Sequence, residues 1–323
     1  MPPIQKPIIK YRTDFLEYLE IQKGLSVKTQ ENYDRFLNKF FYWLKINKLN
    51  NLKPNKLNEN FIWKYRIFLS KYVNPISKKR LKKSTQNYYL IALRSMLEFF
   101  TEKKITSLPS SAIKLAKDKT DKKVNFLKLE QIEKLLLATN IKTNNLKTKL
   151  RDRAILETLF STGLRVAELV KLNREQIKIR KKIQELEISI IGKGEKIRTI
   201  YFSKRSIVWL KKYIDIRNDI DPALFINFKS GIEKNNKSRR LTVRSIENIV
   251  KKYIKIAGLP IMTTPHTIRH SFATDLLSNG VDLRIVQEFL GHRNIATTQI
   301  YTHVTNKQLK NIHKKMHGGK KLK

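Results

Sequence analysis

The sequence predicts a mainly α-helical protein with one small β-sheet: an N-terminal helical bundle followed by a C-terminal mixed α/β domain. Three observations carry this. Apolar residues recur at helical spacing along most of the chain, β-rich runs are confined to one pair of segments near residues 186–201, and the helical pattern breaks between residues 105 and 125. A length of 323 residues corresponds to about two domains of ordinary size, each able to bury a core.

In the first third, Tyr11 to Gln22 sets Tyr11, Phe15, Leu16 and Leu19 along one helical face, and Gly24 is a natural stop. Ser26 reads as the cap of a second helix, in which Tyr33, Phe36, Leu37, Phe40, Phe41 and Leu44 recur. Asn58 precedes a third, with Phe61, Ile62, Tyr65, Phe68 and Leu69. Ser84 precedes a fourth, with Tyr89, Leu93, Met96, Leu97 and Phe100. Four such helices make a small bundle whose aromatics are core. The tracts Ser107-Leu108-Pro109-Ser110-Ser111 and Lys117 to Lys123 hold breakers, caps and charge with no sustained face. The expected division is therefore 1–106, a linker at 107–125, and 126–323.

The second domain opens with a helix from Arg153 to Thr162, carrying Ile155, Leu156, Leu159 and Phe160 inward and ended by Gly163. Leu186 to Ile191 and Ile197 to Tyr201 are β-rich, and the glycines around Lys193 predict a hairpin turn. Helices follow at Ser203–Arg217, Thr242–Ile256 with Gly258 as stop, Pro265–Ser278, Asp282–Leu290 and Asn294–Val304. No repeat of solenoid length is present in the sequence.

Composition narrows the function. Lys and Arg number 68 against 27 Asp and Glu, a net charge of +41, which predicts a polyanionic partner. Part of the lysine excess has a second reading, AT-rich coding, since Ile and Asn are abundant as well. The cations are spread along the chain, as in Lys78-Lys79-Arg80 and Lys314-Lys315, rather than gathered on one amphipathic helix. That favours nucleic acid over a lipid surface. The absence of cysteine excludes disulfides, thiolate metal sites and a cysteine nucleophile. No apolar run reaches membrane-spanning length, and Met1 to Lys6 lacks the core of a secretory signal, so a cytoplasmic location is expected.

Several residue groups can carry chemistry. Arg165 and Glu168 lie three apart and share a helical face, which alone equally describes a surface ion pair. In Pro265-His266-Thr267-Ile268-Arg269-His270, proline suits the first helical turn, and His266 and Arg269 project together as donors for an anionic oxygen. His266 and His270 also have the spacing of a zinc helix. That motif needs Glu after the first histidine, where Thr267 stands, and no cysteine or nearby acid completes a shell. A buried helix histidine is the preferred reading of His270. His292 follows Gly291 at a helix junction, and Tyr301 lies on the next predicted helix. A phenol of ordinary pKa near 10 is a poor nucleophile unless positive charge favours the phenolate.

Taken together, these groups resemble the tyrosine site-specific recombinases, also called the phage integrase family. The resemblance rests on Arg165 in Gly-Leu-Arg-Val-Ala-Glu-Leu, Lys193 in Gly-Lys-Gly-Glu-Lys-Ile-Arg, His266 to His270, Leu290-Gly291-His292 and Tyr301, in that order. The tracts Phe272 to Leu277, Val286 to His292 and Thr297 to Val304 look like the Xer branch. It covers the whole chain. The bundle and the linker match the family's core-binding, SAM-like domain and hinge, with few diagnostic residues in the bundle.

The resemblance implies cleavage of duplex DNA by Tyr301, leaving a 3′-phosphotyrosine and a free 5′-hydroxyl. Arg165 and Arg269 would meet the charge on the non-bridging oxygens with their fixed N–H forks, and His292 would add a donor. The family sometimes has Trp at this last position, so hydrogen bonding fits better than proton transfer. Lys193 would protonate the leaving oxygen, with Lys196 as its neighbour and competitor. His266 would accept the Tyr301 proton or position the phosphate. Glu168 would fix Arg165 or a histidine, and His270 would support.

No metal and no nucleotide cofactor is implied, because the arginines supply the charge and the covalent bond conserves the phosphodiester energy. The implied partner is double-stranded DNA bearing a recombination site. The implied assembly is a homo-tetramer on two sites, or a hetero-tetramer with a paralogue, acting through a Holliday junction. The tail from Leu309 to His317 would dock on a neighbouring protomer. Chromosome dimer resolution at cell division and mobile-element movement are both compatible roles for such a nucleoid-associated enzyme. The alternatives are a type IB topoisomerase and a non-catalytic DNA-binding protein.

Overall fold

The computed structural model describes residues 5–116, 125–140, 145–179, 185–192, 196–228 and 239–291. The chain divides into two units, residues 1–121 and 122–323, each with its own core.

In the first unit a 3-10 turn at Ile8–Tyr11 leads into α1 (Arg12–Ile21), α2 (Val27–Ile46), α3 (Glu59–Lys71) and α4 (Lys83–Glu102). The predicted aromatic stripes form the core. Phe15, Phe40, Tyr65, Phe99 and Phe100 are buried, with Tyr65 edge-on to Phe40 at 5.0 Å and Tyr11 edge-on to Phe100 at 5.1 Å. Burying each large apolar side chain contributes about 1.5–3 kcal/mol, and edge-to-face geometry adds to it. Asn58 caps α3, its side-chain oxygen accepting the Phe61 N–H. Ser26 stands at the start of α2 as expected, but its hydroxyl pairs with that of Thr29 rather than with the helix backbone. α4 begins at Lys83, so Ser84 lies inside its first turn and does not cap it.

Residues 107–116, which read from sequence as the start of the linker, pack on this bundle. Ile113 is buried in its core, Leu108 and Leu115 lie against it, and Asn87 on α4 pairs with both the N–H and the C=O of Ala116.

The second unit consists, among the described residues, of α5 (Leu129–Leu137), α6 (Leu146–Thr162), α7 (Val166–Lys171), β1 (Leu186–Ile191), β2 (Ile197–Phe202), α8 (Lys204–Asp215), α9 (Val243–Ile256), α10 (Pro265–Ser278) and α11 (Leu283–Leu290). The two strands pair antiparallel, Leu186 opposite Phe202 through Ile191 opposite Ile197. Alternation puts Leu186, Ile188, Ile190, Ile200 and Phe202 into the core, which is why the pair reads as a half-buried hairpin. The turn itself falls outside the described residues.

α6 is the buried centre of this unit and starts two turns earlier than its apolar pattern suggests. Its middle turns bury charge, Arg151, Asp152, Arg153 and Glu157, among the apolar side chains. Glu157, 1% exposed, accepts from Arg153 through Oε1 at 2.8 and 3.0 Å and from Arg205 of α8 through Oε2 at 2.8 Å. Asp152 accepts from Arg151 and from the Tyr253 hydroxyl of α9 at 3.0 Å. These pairs fasten α6 to the helices on either side. At its other end Gly163 takes a left-handed conformation (φ +59°), ending the helix and turning the chain toward Arg165.

Candidate functional site

Arg165 is the residue just before α7. Its backbone N–H donates to Glu168 Oε2 at 2.8 Å, so the carboxylate one turn on closes the helix start. The Arg165 guanidinium turns back to the same carboxylate, Nη1 donating to Oε1 at 2.9 Å, and Nη2 reaches the Gly291 carbonyl at 3.3 Å. Part of the Arg165 side chain stays open to solvent.

α10 starts where the sequence places it. Thr264 caps it, accepting the Thr267 N–H, and Pro265 fills the first turn. One turn in, Arg269 is 2% exposed. It donates through Nη1 to the Gly163 carbonyl at 2.7 Å and through Nη2 to the Leu290 carbonyl at 2.5 Å. The guanidinium thus ties the end of α6 to the end of α11. Arg269 is therefore a buried donor, with one N–H of each Nη on a backbone carbonyl.

His266 is exposed and His270 half-buried, their ring centroids 4.3 Å apart and edge-on. Burial, then the charges of Arg269 and Arg165, holds His266 below its ordinary value, so at neutral pH the imidazole is uncharged and able to accept a proton. Burial, then His266 and Arg269, brings His270 down to about 4. Burial alone would push Glu168 up. The hydrogen bonds from Arg198 and from the Arg165 backbone, with their charges, outweigh it and bring Glu168 down to about 2.

The described part of the site therefore brings Arg165, Glu168, His266, Arg269 and His270 together around the α11 terminus at Leu290–Gly291. It also contains Arg198, which the sequence reading passed over as one more strand residue. This arginine ends the Gly-Lys-Gly-Glu-Lys-Ile-Arg tract, but nothing in that tract says where its side chain points. Only the fold aims it at Glu168, whose two oxygens accept from it at 3.0 and 2.7 Å. Lys193, His292 and Tyr301 lie outside the described residues, as do the expected helix at 294–304 and the tail at 309–317. Among the described residues, no group of three or more His, Asp or Glu side chains is arranged to hold a metal, and no helix is long and apolar enough to cross a membrane.

Comparison with known proteins places the family and the fold. Residues 125–308 match the phage integrase family, and residues 13–104 match the N-terminal SAM-like domain of phage integrases. The chain is 36% identical over 313 residues to the tyrosine recombinase XerD of Listeria innocua, covering 94% of this chain and 97% of that protein. It is 34% identical over 313 residues to the tyrosine recombinase XerC of Thermodesulfovibrio yellowstonii, covering 95% and 96%. Its fold is similar to XerH site-specific recombinase in a post-cleavage complex with a palindromic difH substrate (TM-score 0.70, 24% identity, 94% of this chain and 84% of that one). It is similar also to the Tn1549 transposon integrase in complex with transposon right-end DNA (TM-score 0.67, 19% identity, 96% and 99%). On these matches, which span both units, the chain belongs to the phage integrase family of tyrosine recombinases, on its Xer-like branch.

Proposed function

We propose that this chain is a site-specific DNA recombinase that cuts and rejoins duplex DNA through a 3′-phosphotyrosyl intermediate formed on Tyr301. Cleavage and rejoining by a tyrosine recombinase is the activity of its family. One observation supports the residue assignment above all. Arg165 and Arg269, 104 positions apart, donate to the adjacent carbonyls of Gly291 and Leu290, immediately before His292. Two guanidinium groups meeting at one chain segment form the positive, donor-rich setting that a pentacoordinate phosphorane needs.

In this reading the Tyr301 phenol oxygen attacks phosphorus while the bond to the 5′-oxygen breaks. His266, uncharged at neutral pH, takes the phenolic proton or holds the phosphate. Lys193 gives a proton to the departing 5′-oxygen, whose alkoxide is otherwise a poor leaving group. Arg165, Arg269 and His292 bind the non-bridging oxygens. Glu168 orients Arg165, and His270 packs behind His266. Residues 1–106 serve as the core-binding DNA domain, 107–125 as the connection, and 126–323 as the catalytic domain. The working assembly is a tetramer on two DNA sites, of one chain or of two paralogues, with the 309–317 tail docked on a neighbour. Its place is the nucleoid.

A duplex nicked near the target phosphate tests this. Loss of the short fragment traps the covalent adduct, and adduct must form only on duplexes carrying the recombination site. Supercoil relaxation by monomers without sequence preference would instead make the chain a topoisomerase. Tight binding without any adduct, over a range of salt, would make it a binding protein.

A further inference from the structure

Arg198 lies on β2, opposite Ile190 and four residues before the strand ends at Phe202. Its side chain is largely buried, and each of its donors named here has a fixed acceptor. Nη1 and Nη2 donate to Glu168 Oε1 and Oε2 at 3.0 and 2.7 Å, and Nε donates to the Phe289 carbonyl at 3.2 Å. The chain makes room for it at Gly291, where a Cβ would come within 2.9 Å of Arg198 Cδ. Tyr201 on the same strand meets the Phe289 ring edge-on at 5.8 Å and holds α11 alongside. Arg198 therefore joins three elements: the hairpin, the first turn of α7 and the terminus of α11. Glu168 is the hinge of this arrangement, because its two oxygens accept from Arg198 and Arg165 alike.

We infer that Arg198 is a positioning residue of the recombinase reaction: by gripping both oxygens of Glu168, it fixes the carboxylate against which the Arg165 guanidinium is set. This rests on the proposed role of Arg165 at the scissile phosphate. A carboxylate held from one side only is free to rotate, and the Arg165 fork rotates with it. Held between two guanidiniums and the Arg165 N–H, it has one orientation. The charges also sort themselves. Glu168 balances one of the two arginines, so the pair keeps a net positive charge beside the phosphate. Lysine cannot replace Arg198, because one ammonium cannot span two carboxylate oxygens and a carbonyl at once.

The experiment measures single-turnover cleavage of a nicked duplex in two forms, one with the normal scissile phosphodiester and one with a neutral methylphosphonate. Arg198→Ala should slow cleavage of the phosphodiester on the order of 10- to 100-fold, the usual cost of losing a group that orients a primary ligand. DNA affinity should change less than about 3-fold, since the side chain faces inward and makes no outward phosphate contact. Arg165→Ala should lose most of its cost on the methylphosphonate, where one charge that it balances is gone, and Arg198→Ala should lose the same proportion. In an Arg165→Ala background, Arg198→Ala should cost less than about 3-fold more.

If Arg165→Ala shows the relief and Arg198→Ala does not, the positioning role is overturned while the site assignment stands. If Arg165→Ala shows none, the assignment of Arg165 falls, and the role of Arg198 falls with it. Should Arg198→Ala fold poorly, Arg198→Lys keeps the bulk and the charge and is read in the same way. Wild-type cleavage by a well-folded Arg198→Lys protein would also overturn the inference.

Discussion

Substituting Gly163 with alanine should damage both stability and cleavage, and the structure sets the size of the effect. Gly163 sits at φ +59°, where an L side chain costs roughly 1 kcal/mol. A Cβ there would lie 2.4 Å from Phe272 Cδ1 and 2.8 Å from Cε1, far inside contact distance. Phe272 belongs to α10 and packs with the α10–α11 cluster, so its ring yields only by disturbing that packing. Overpacking of this kind costs about 1–3 kcal/mol, which brings the sum to about 2–4 kcal/mol. For a unit of this size, each kcal/mol lowers Tm by about 2–4 °C, so the variant should melt roughly 4–16 °C lower. The Gly163 carbonyl also accepts from Arg269, so cleavage should fall further than the loss of folded protein explains. Differential scanning calorimetry gives the first number and single-turnover cleavage the second. Combining the change with Phe272→Ala should cost less than the sum of the two single changes. A Tm within about 1 °C of wild type would refute the steric reasoning behind the sum.

Three further outcomes follow from the same geometry. Glu157→Ala strands two arginines at a nearly inaccessible carboxylate position and should cost about 3–5 kcal/mol in urea unfolding, whereas Glu130→Ala on the exposed side of α5 should be close to neutral. Asn58→Ala removes the α3 cap and should cost about 1 kcal/mol, read in the same way. His270, held down to about 4 against an ordinary 6.5, favours the folded state in its neutral form. Its contribution is complete above pH 6.5 and is lost as the pH falls toward 4, about 1–2 kcal/mol after allowance for its partial exposure. In His270→Phe the urea midpoint should therefore fall less steeply over that interval.

What the sequence made legible follows from where burial is apolar. The four N-terminal helices, the β1–β2 hairpin and α9 all have apolar side chains whose period matches their buried face, so pattern alone finds them. α6 was half legible: Ile155, Leu156 and Leu159 mark its later turns, but Arg151, Asp152, Arg153 and Glu157 are buried as ion pairs, and buried charge reads as surface. The segment at 107–116 reads as linker because Pro109 and its serines dominate, although Ile113 is buried in the core and Leu108 and Leu115 pack against it.

Within the site, the motifs at 163–169 and 265–270 pointed to Arg165, Glu168, His266 and Arg269. Their roles as partners are properties of the fold. That Arg269 spans two helix ends, and that Arg198 comes across from a strand to share Glu168, depends on contacts between residues 21 to 106 positions apart. No local pattern records such contacts.

The central claim is that one phenol in this chain becomes bonded to DNA. Tryptic digestion of the trapped adduct, followed by mass spectrometry, should find the nucleotide mass on the peptide carrying Tyr301. Tyr301→Phe should give no adduct while binding the same duplex. Nucleotide mass on any other residue, or an undiminished adduct from Tyr301→Phe, would contradict the claim.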